Sequence, residues 1–368
     1  MKPKLSKICV LACTAMALAL AGAEAHAAGG QLVRIVVHGR SLETNVTGES
    51  SDRNVSVYLP PSYGSNPGRR YPALYLLHGI GDTDEIWTSG AGPWQSIVSV
   101  MDLGIAEGRY GEMIVVAPDE RTRWFGSFYV DSAATGNWEE FTVSELVAHV
   151  DRTYRTIASA GGRGIAGHSM GGSGALRLAM KHPDVFSVAY GMNPAVAGWG
   201  GDLTGENPAF AAIRAATSFD DLTKPTPEDP RSEYKAGLVT VAQAFSPNPS
   251  KPPFFADMPF DVENGRLVPS EPAHGKWDQV LLANVARRHQ DGLRTLRGLR
   301  FDSGYDDRFT HIPVSCRALS AELSALGVPH VFEEYNGDHS NRMWGRTGRM
   351  ATEVIPYFWM LLESGGGT

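Results

Sequence analysis

The chain reads as an α/β protein, a mostly parallel sheet with helices on both faces. Three observations predict this. Tyr71 to Leu77 and Met113 to Ala117 are short, unbroken apolar runs, as expected of strands covered on both sides. Amphipathic stretches with helical spacing separate such runs, and that alternation favours parallel strands joined by crossover helices. Across 368 residues, 42% are hydrophobic and 20% charged, which suits a globular chain with a sizeable core.

Val55 to Leu59 alternates as a half-buried strand should, and Pro60-Pro61-Ser62-Tyr63-Gly64 ends it. A helix opening at Pro93-Trp94 carries Ile97, Val98 and Met101 between the two buried strands. Phe141 to Tyr154 predicts a helix with Leu146, Val147, Val150 and Tyr154 on one stripe. Next come a strand at Gly164–Ala166 and a helix through Ala175, Leu176 and Leu178, stopped by His182-Pro183. The rhythm breaks after Tyr190. It resumes with a helix Trp277–His289, a strand Leu299–Asp302, a helix Ile312–Leu326, a strand His330–Tyr335 and a last helix near Met350–Leu362. The intervening 196–275, rich in Pro, Gly and Asn, is expected to be a lid-like insertion over the sheet rather than a separate domain.

The first 28 residues have a different character. Lys2, Lys4 and Lys7 precede an apolar run from Ile8 to Leu20, and Ala25-His26-Ala27 supplies small residues for cleavage, the pattern of a secretory signal peptide. A lipobox reading of Val10-Leu11-Ala12-Cys13 fails because most of the apolar run follows the Cys. The expectation is a secreted or periplasmic chain whose catalytic domain spans 29–368. Cys316 is then the remaining cysteine, a small core residue on a helix, which leaves no intramolecular disulfide and no cysteine hydrolase. A net charge of −7, with no basic block, gives no electrostatic reason to bind nucleic acid. No later stretch is long and apolar enough to span a membrane.

Gly167-His168-Ser169-Met170-Gly171 lies between the short strand and the helix, the G-x-S-x-G elbow in its expected context. A nucleophilic Ser on so sharp a turn needs glycines where a Cβ would meet neighbouring backbone. The helix that follows aims its N–H groups at developing negative charge. Leu76-Leu77-His78-Gly79-Ile80-Gly81 ends an earlier strand, where such a fold supplies a second oxyanion donor. The backbone amides of Met170 and Ile80 are therefore the expected pair. His78 precedes the Ser and is expected to orient that loop rather than act as base.

A Ser hydroxyl needs a base, and the base a carboxylate that selects its tautomer. Among the late histidines, His339 alone follows the last expected strand; His330 and His311 begin a strand and a helix. The acid should follow the preceding strand, where Asp302-Ser303-Gly304-Tyr305-Asp306-Asp307 lies. Local sequence leaves Asp306 and Asp307 both open, while Asp302 belongs to the strand and Asp338 is too near His339 along the chain. A calcium loop is excluded, because Gly304 and Asp307 stand where an oxygen ligand and a glycine are required. No metal, nucleotide or flavin motif is present, so no cofactor is expected.

These residues resemble the putative-esterase group of α/β-hydrolases, which includes feruloyl esterases, S-formylglutathione hydrolases and mycolyltransferases. The resemblance runs over about 31–362. It rests on Val57-Tyr58-Leu59-Pro60-Pro61, Tyr71-Pro72 with Tyr75 to Gly79, Gly167 to Gly172, Gly304-x-x-Asp307 and Gly337-x-His339. It implies an α/β-hydrolase fold, a small-molecule or glycan-linked ester substrate, Ser169 as nucleophile, Asp307 as acid, His339 as base, and Ile80 with Met170 as oxyanion hole. The long 196–275 segment departs from the compact feruloyl-esterase pattern, so substrate does not carry over. In that segment Phe254 and Phe255 either wall an acyl or aryl pocket or form the lid's own core, and Trp124, in the loop after Ala117, lies at a strand's carboxyl end, where such sheets bind ligands. An acyltransferase using the same acyl-enzyme, and a binding protein on an inactive hydrolase fold, are the rival readings.

Overall fold

The computed structural model describes residues 29–225 and 233–364. The expected signal peptide, 1–28, lies outside the described residues.

An eight-stranded sheet organises the chain. Its strands are β1 (Gln31–His38), β2 (Asp52–Leu59), β3 (Ala73–Leu77), β4 (Ile114–Pro118), β5 (Arg163–His168), β6 (Val188–Met192), β9 (Gly298–Gly304) and β10 (Val331–Tyr335), with a β7–β8 hairpin elsewhere (Phe260–Glu263 and Arg266–Pro269). The spatial order is β1-β2-β4-β3-β5-β6-β9-β10. β2 pairs antiparallel with both β1 and β4, and every other pairing in the sheet is parallel. β3, β4 and β6 are buried at every position, as their unbroken apolar runs require. β1, at the edge, alternates in exposure instead.

Helices cover both faces. α1 (Ile97–Ala106) begins with a Ser96/Ser99 capping box, which moves its start past the expected Pro93-Trp94; Trp94 itself has φ of +64°. The stretch expected as one helix from Phe141 runs as a π-type segment, Phe141–Leu146, followed by α2 (Val147–Thr153). α3 (Met170–Lys181) packs beneath the sheet's centre, and His182-Pro183 ends it as expected. The helix expected at Trp277–His289 is two, α7 (Ala273–Val280) and α8 (Leu282–Arg288). Leu281 breaks them with ψ of 138°, and Leu282 N–H donates to Ala197 O at 3.0 Å, so Leu281 and Leu282 are both buried. α9 (His311–Ala325) carries the buried Cys316, whose thiol burial pushes well up. α10 (Ile355–Leu361) follows a π-type turn at Met350–Val354.

Segment 196–275 holds more regular structure than its composition suggested: α4 (Pro208–Ala215), α5 (Phe219–Thr223), α6 (Glu233–Phe245) and the β7–β8 hairpin. α6 contains Gly237 and the β-branched run Val239-Thr240-Val241, poor helix formers that masked it. Burial of Leu238, Val239, Val241, Ala242 and Phe245 outweighs that propensity. Among the described residues no helix is long and apolar enough to cross a membrane.

Candidate active site

The parallel strands deliver the site to one edge of the sheet. β3 leads into His78-Gly79-Ile80, β5 into Ser169, β9 into Asp307 and β10 into His339. The registers Leu77 opposite Gly167, His168 opposite Met192 and Gly304 opposite Tyr335 bring these strand ends level. Ligands in such sheets bind at the carboxyl ends of the strands.

Ser169 takes φ 56°, ψ −116°, a left-handed conformation that non-glycine residues adopt at a cost. Its neighbours explain the glycines. A Cβ on Gly167 would stand 2.3 Å from Gly171 O, and one on Gly171 would stand 2.2 Å from Leu77 O. Three backbone bonds pin the turn: Ser169 N–H to Met192 O at 2.9 Å, Ser173 N–H to Ser169 O at 3.1 Å and Ala195 N–H to Ser169 O at 3.0 Å. Met170 N–H is one of the unpartnered first-turn amides of α3. Ile80 N–H makes no hydrogen bond among the described residues.

His78 lies beneath the Ile80 loop and is fully buried. Its Nδ1 is 2.8 Å from Gly79 O, and its Nε2 accepts Glu120 N–H at 2.8 Å. Burial holds its pKa down to about 4, so the neutral ring donates through Nδ1. The Gly79 carbonyl it holds belongs to the same peptide plane as Ile80 N–H. Glu120 is buried too. Burial pushes its carboxyl up to about 8, although the Thr142 and Ser127 hydroxyls donate to it.

Asp307 and His339 meet as a pair. Asp307 Oδ2 lies 2.7 Å from His339 Nδ1, and Asp307 Oδ1 accepts Phe309 N–H at 2.9 Å. The Asp307 side chain has no solvent exposure and that of His339 is 9% exposed. Asp306 is exposed, and its backbone N–H donates to Gly337 O at 3.1 Å. Asp302 is buried with Tyr190 Oη at 2.7 Å and Arg349 Nε at 2.8 Å. Asp338 caps its own loop by accepting Ser340 and Asn341 N–H.

Two residues that the sequence did not single out clamp His339. His168 Nε2 is 2.6 Å from His339 O, and burial lowers its pKa to about 3, so this neutral nitrogen carries the hydrogen and donates. Asn193 Nδ2 donates to the same oxygen at 2.9 Å and to Tyr335 Oη at 2.8 Å, while Asn193 Oδ1 accepts Gly304 N–H at 2.8 Å. Asn193 therefore ties the loop of Asp307 to the loop of His339. A His inside the elbow motif was a visible signal; the Asn, just after an unrecognised strand, was not.

Ser169 and His339 share one cavity of about 680 Å³. Neither Ser169 Oγ nor His339 Nε2 has a hydrogen-bond partner among the described residues. The cavity is lined by Gly79, Ile80 and Gly81 after β3, by Phe125 and Phe128, by Leu238 and Val241 and by Trp87, Met343 and Trp344; Asp82, Asp202, Tyr234, Arg308 and His311 add polar lining. The Phe309 ring stands edge-on to His339 with centroids 5.0 Å apart. Trp124, Phe254 and Phe255, expected at the pocket wall, are not among its lining residues. Trp124 packs edge-on to Phe254 at 5.8 Å, which suits the lid-core alternative for Phe254, and to Phe219 at 5.1 Å. The wall is built instead by Phe125 and Phe128, because the loop turns through positive φ at Phe125 and again at Phe128 and Tyr129. Among the described residues no group of three or more His, Cys, Asp or Glu is placed to hold a metal ion.

Residues 49–347 match the family model described as "Putative esterase". An esterase of Mycobacterium tuberculosis is 36% identical over 137 residues, 37% of this chain and 27% of that protein. An endo-1,4-beta-xylanase/feruloyl esterase of Xylanibacter ruminicola is 30% identical over 155 residues, 40% of this chain and 21% of that one. The chain thus spans about a quarter of the length of these relatives. Among solved structures, a ferulic acid esterase superposes with a TM-score of 0.60 at 21% identity, covering 91% of this chain and 99% of that chain. An S-formylglutathione hydrolase from Agrobacterium tumefaciens gives 0.56 at 15% identity, with 91% and 96% covered. These likenesses establish the α/β-hydrolase fold.

Proposed function

The chain belongs to the putative esterase family, and from that premise we propose that it is a serine carboxylesterase working through an acyl-enzyme on Ser169. The carrying observation is the buried Asp307–His339 pair at 2.7 Å opening on the same cavity as the strained Ser169. Asp307 accepts Nδ1–H and so leaves the His339 Nε2 lone pair free to take the Ser169 proton. Ser169 Oγ attacks the ester carbonyl, and the Ile80 and Met170 amides stabilise the oxyanion. His339 then protonates the departing alcohol. Water, deprotonated by His339, attacks the acyl-enzyme, and Ser169 leaves with its proton restored as the acid is released.

The substrate is a small-molecule or glycan-linked ester, and the 29–368 catalytic domain is exported by the 1–28 leader. Sequencing the N-terminus of the chain recovered outside the cytoplasm tests export. A fluorophosphonate probe tests the nucleophile: it should label the protein at Ser169, and labelling that persists in Ser169→Ala defeats the assignment. Acyl transfer to an alcohol is the second reading, for which the mostly apolar lining of the cavity leaves room for an acceptor beside the acyl group. Measuring how an acyl donor partitions between water and added alcohol or sugar decides between the two.

A further inference from the structure

α6 lines the cavity with Tyr234, Ala236, Gly237, Leu238 and Val241, of which Tyr234, Gly237, Leu238 and Val241 share the three- and four-residue spacing of one helix face. Gly237 stands in the interior of this 13-residue helix, where glycine costs about 1 kcal/mol against alanine. Among the described residues nothing in the fold asks for it. It lies in regular helix, outside the positive-φ residues, so no backbone conformation reserves the place for glycine. Other glycines here exclude a Cβ by close backbone approach, as Gly167 and Gly171 do, but a Cβ on Gly237 would meet one atom, Ile80 Cδ1, at an ordinary 3.9 Å. The missing side chain therefore leaves open space, and that space belongs to the cavity, beside the residue whose amide is assigned to the oxyanion hole.

We propose that Gly237 is a specificity-determining residue. Its absent side chain makes room next to the reacting carbonyl for a bulky apolar group, branched or aromatic, on the ester substrate. The inference rests on the esterase reading and names the substrate class of that same site. The surroundings suit such a group, since Ile80, Phe125, Leu238 and Val241 are apolar residues lining the same cavity. A helix surrenders stability at this position and gains volume only where substrate would lie, a trade expected at functional sites rather than in structural ones.

The test is the series Gly237→Ala, Gly237→Val and Gly237→Leu. It is assayed on paired 4-nitrophenyl esters, acetate against a branched or aryl acyl chain such as 3-phenylpropanoate. The measured quantity is the ratio of kcat/KM for the bulky ester to that for acetate. One added methylene in a filled apolar pocket changes such ratios by roughly tenfold or more, so the ratio should fall stepwise from Gly to Leu, by at least about tenfold at Val. Thermal melting accompanies it, and Gly237→Ala should melt higher than the wild type. Three folded variants with the wild-type ratio overturn the proposal. A lower melting temperature for Gly237→Ala overturns it as well, because the glycine would then serve the fold. Wild-type protein that hydrolyses neither ester overturns the esterase reading and this inference together, whereas turnover with unchanged ratios overturns the inference alone.

Discussion

Replacing Asp307 by Asn tests the acid through the tautomer it selects. Asp307 Oδ1 accepts Phe309 N–H at 2.9 Å and Oδ2 faces His339 Nδ1 at 2.7 Å, with the side chain wholly enclosed. An Asn side chain must divide one oxygen and one NH₂ between these partners. If the oxygen stays with Phe309, the NH₂ donates to Nδ1 and drives the ring hydrogen to Nε2, where it blocks proton removal from Ser169. If the amide flips, the NH₂ confronts Phe309 N–H, and a buried unpaired donor costs about 1–3 kcal/mol. The unproductive tautomer is therefore favoured by that amount. With the lost stabilisation of the imidazolium added, kcat should fall by roughly 10³–10⁴-fold. Asp306 is exposed and touches the loop through its backbone alone, so Asp306→Asn should lose less than about tenfold, in keeping with the small worth of surface charges. The assay is steady-state hydrolysis of a 4-nitrophenyl ester, with thermal melting to confirm both variants fold. The reverse ranking of the two variants refutes the reasoning and moves the acid to Asp306.

Ser169→Ala should reduce kcat by roughly 10⁴-fold or more while the melting temperature changes little, and a folded variant retaining a tenth of wild-type turnover contradicts the assignment. Gly171→Ala places a Cβ 2.2 Å from Leu77 O and 2.7 Å from His78 O, strand and loop backbone that cannot easily give way. Chemical denaturation should show a loss of about 1–3 kcal/mol or more, and unchanged stability would mean that α3 stands farther from β3 than described. Stability should also peak near pH 6.5. Below the ordinary His value of 6.5, the unfolded chain binds two protons that His78, held down to about 4, and His168, held down to about 3, do not bind; together they outweigh the opposing slope of Glu120, so stability falls as pH drops. Glu120, pushed up from 4.5 to about 8, keeps a proton that the unfolded chain releases, so its contribution falls as pH rises through that range. Each slope is at most about 1.4 kcal/mol per pH unit. Melting curves of Glu120→Gln between pH 6.5 and 8 should lose the alkaline decline, and an unchanged slope shows that the carboxyl is not held protonated.

The parallel core was legible because β3 and β4 are short apolar runs and because α2 and α9 carry clear stripes. The elbow was legible for a related reason: a strained Ser needs small neighbours, and Gly167, Gly171 and Gly172 record that need in the chain itself. His339 followed from its place after the last strand. α6 was hidden by Gly237 and its β-branched run, since propensity is local and the burial that overrides it is not. Asp306 and Asp307 are adjacent and chemically identical, so no pattern along the chain could choose between them. Only the turn after β9, which sends one side chain to His339 and the other to solvent, separates them. The same holds for the pocket wall. Trp124 and Phe125 are neighbours, yet one packs in the lid and the other lines the cavity, because the backbone at Phe125 passes through φ of +81°. What residues need from their immediate neighbours is written in the sequence. Which way each side chain faces depends on segments distant along the chain, and only tertiary packing decides it.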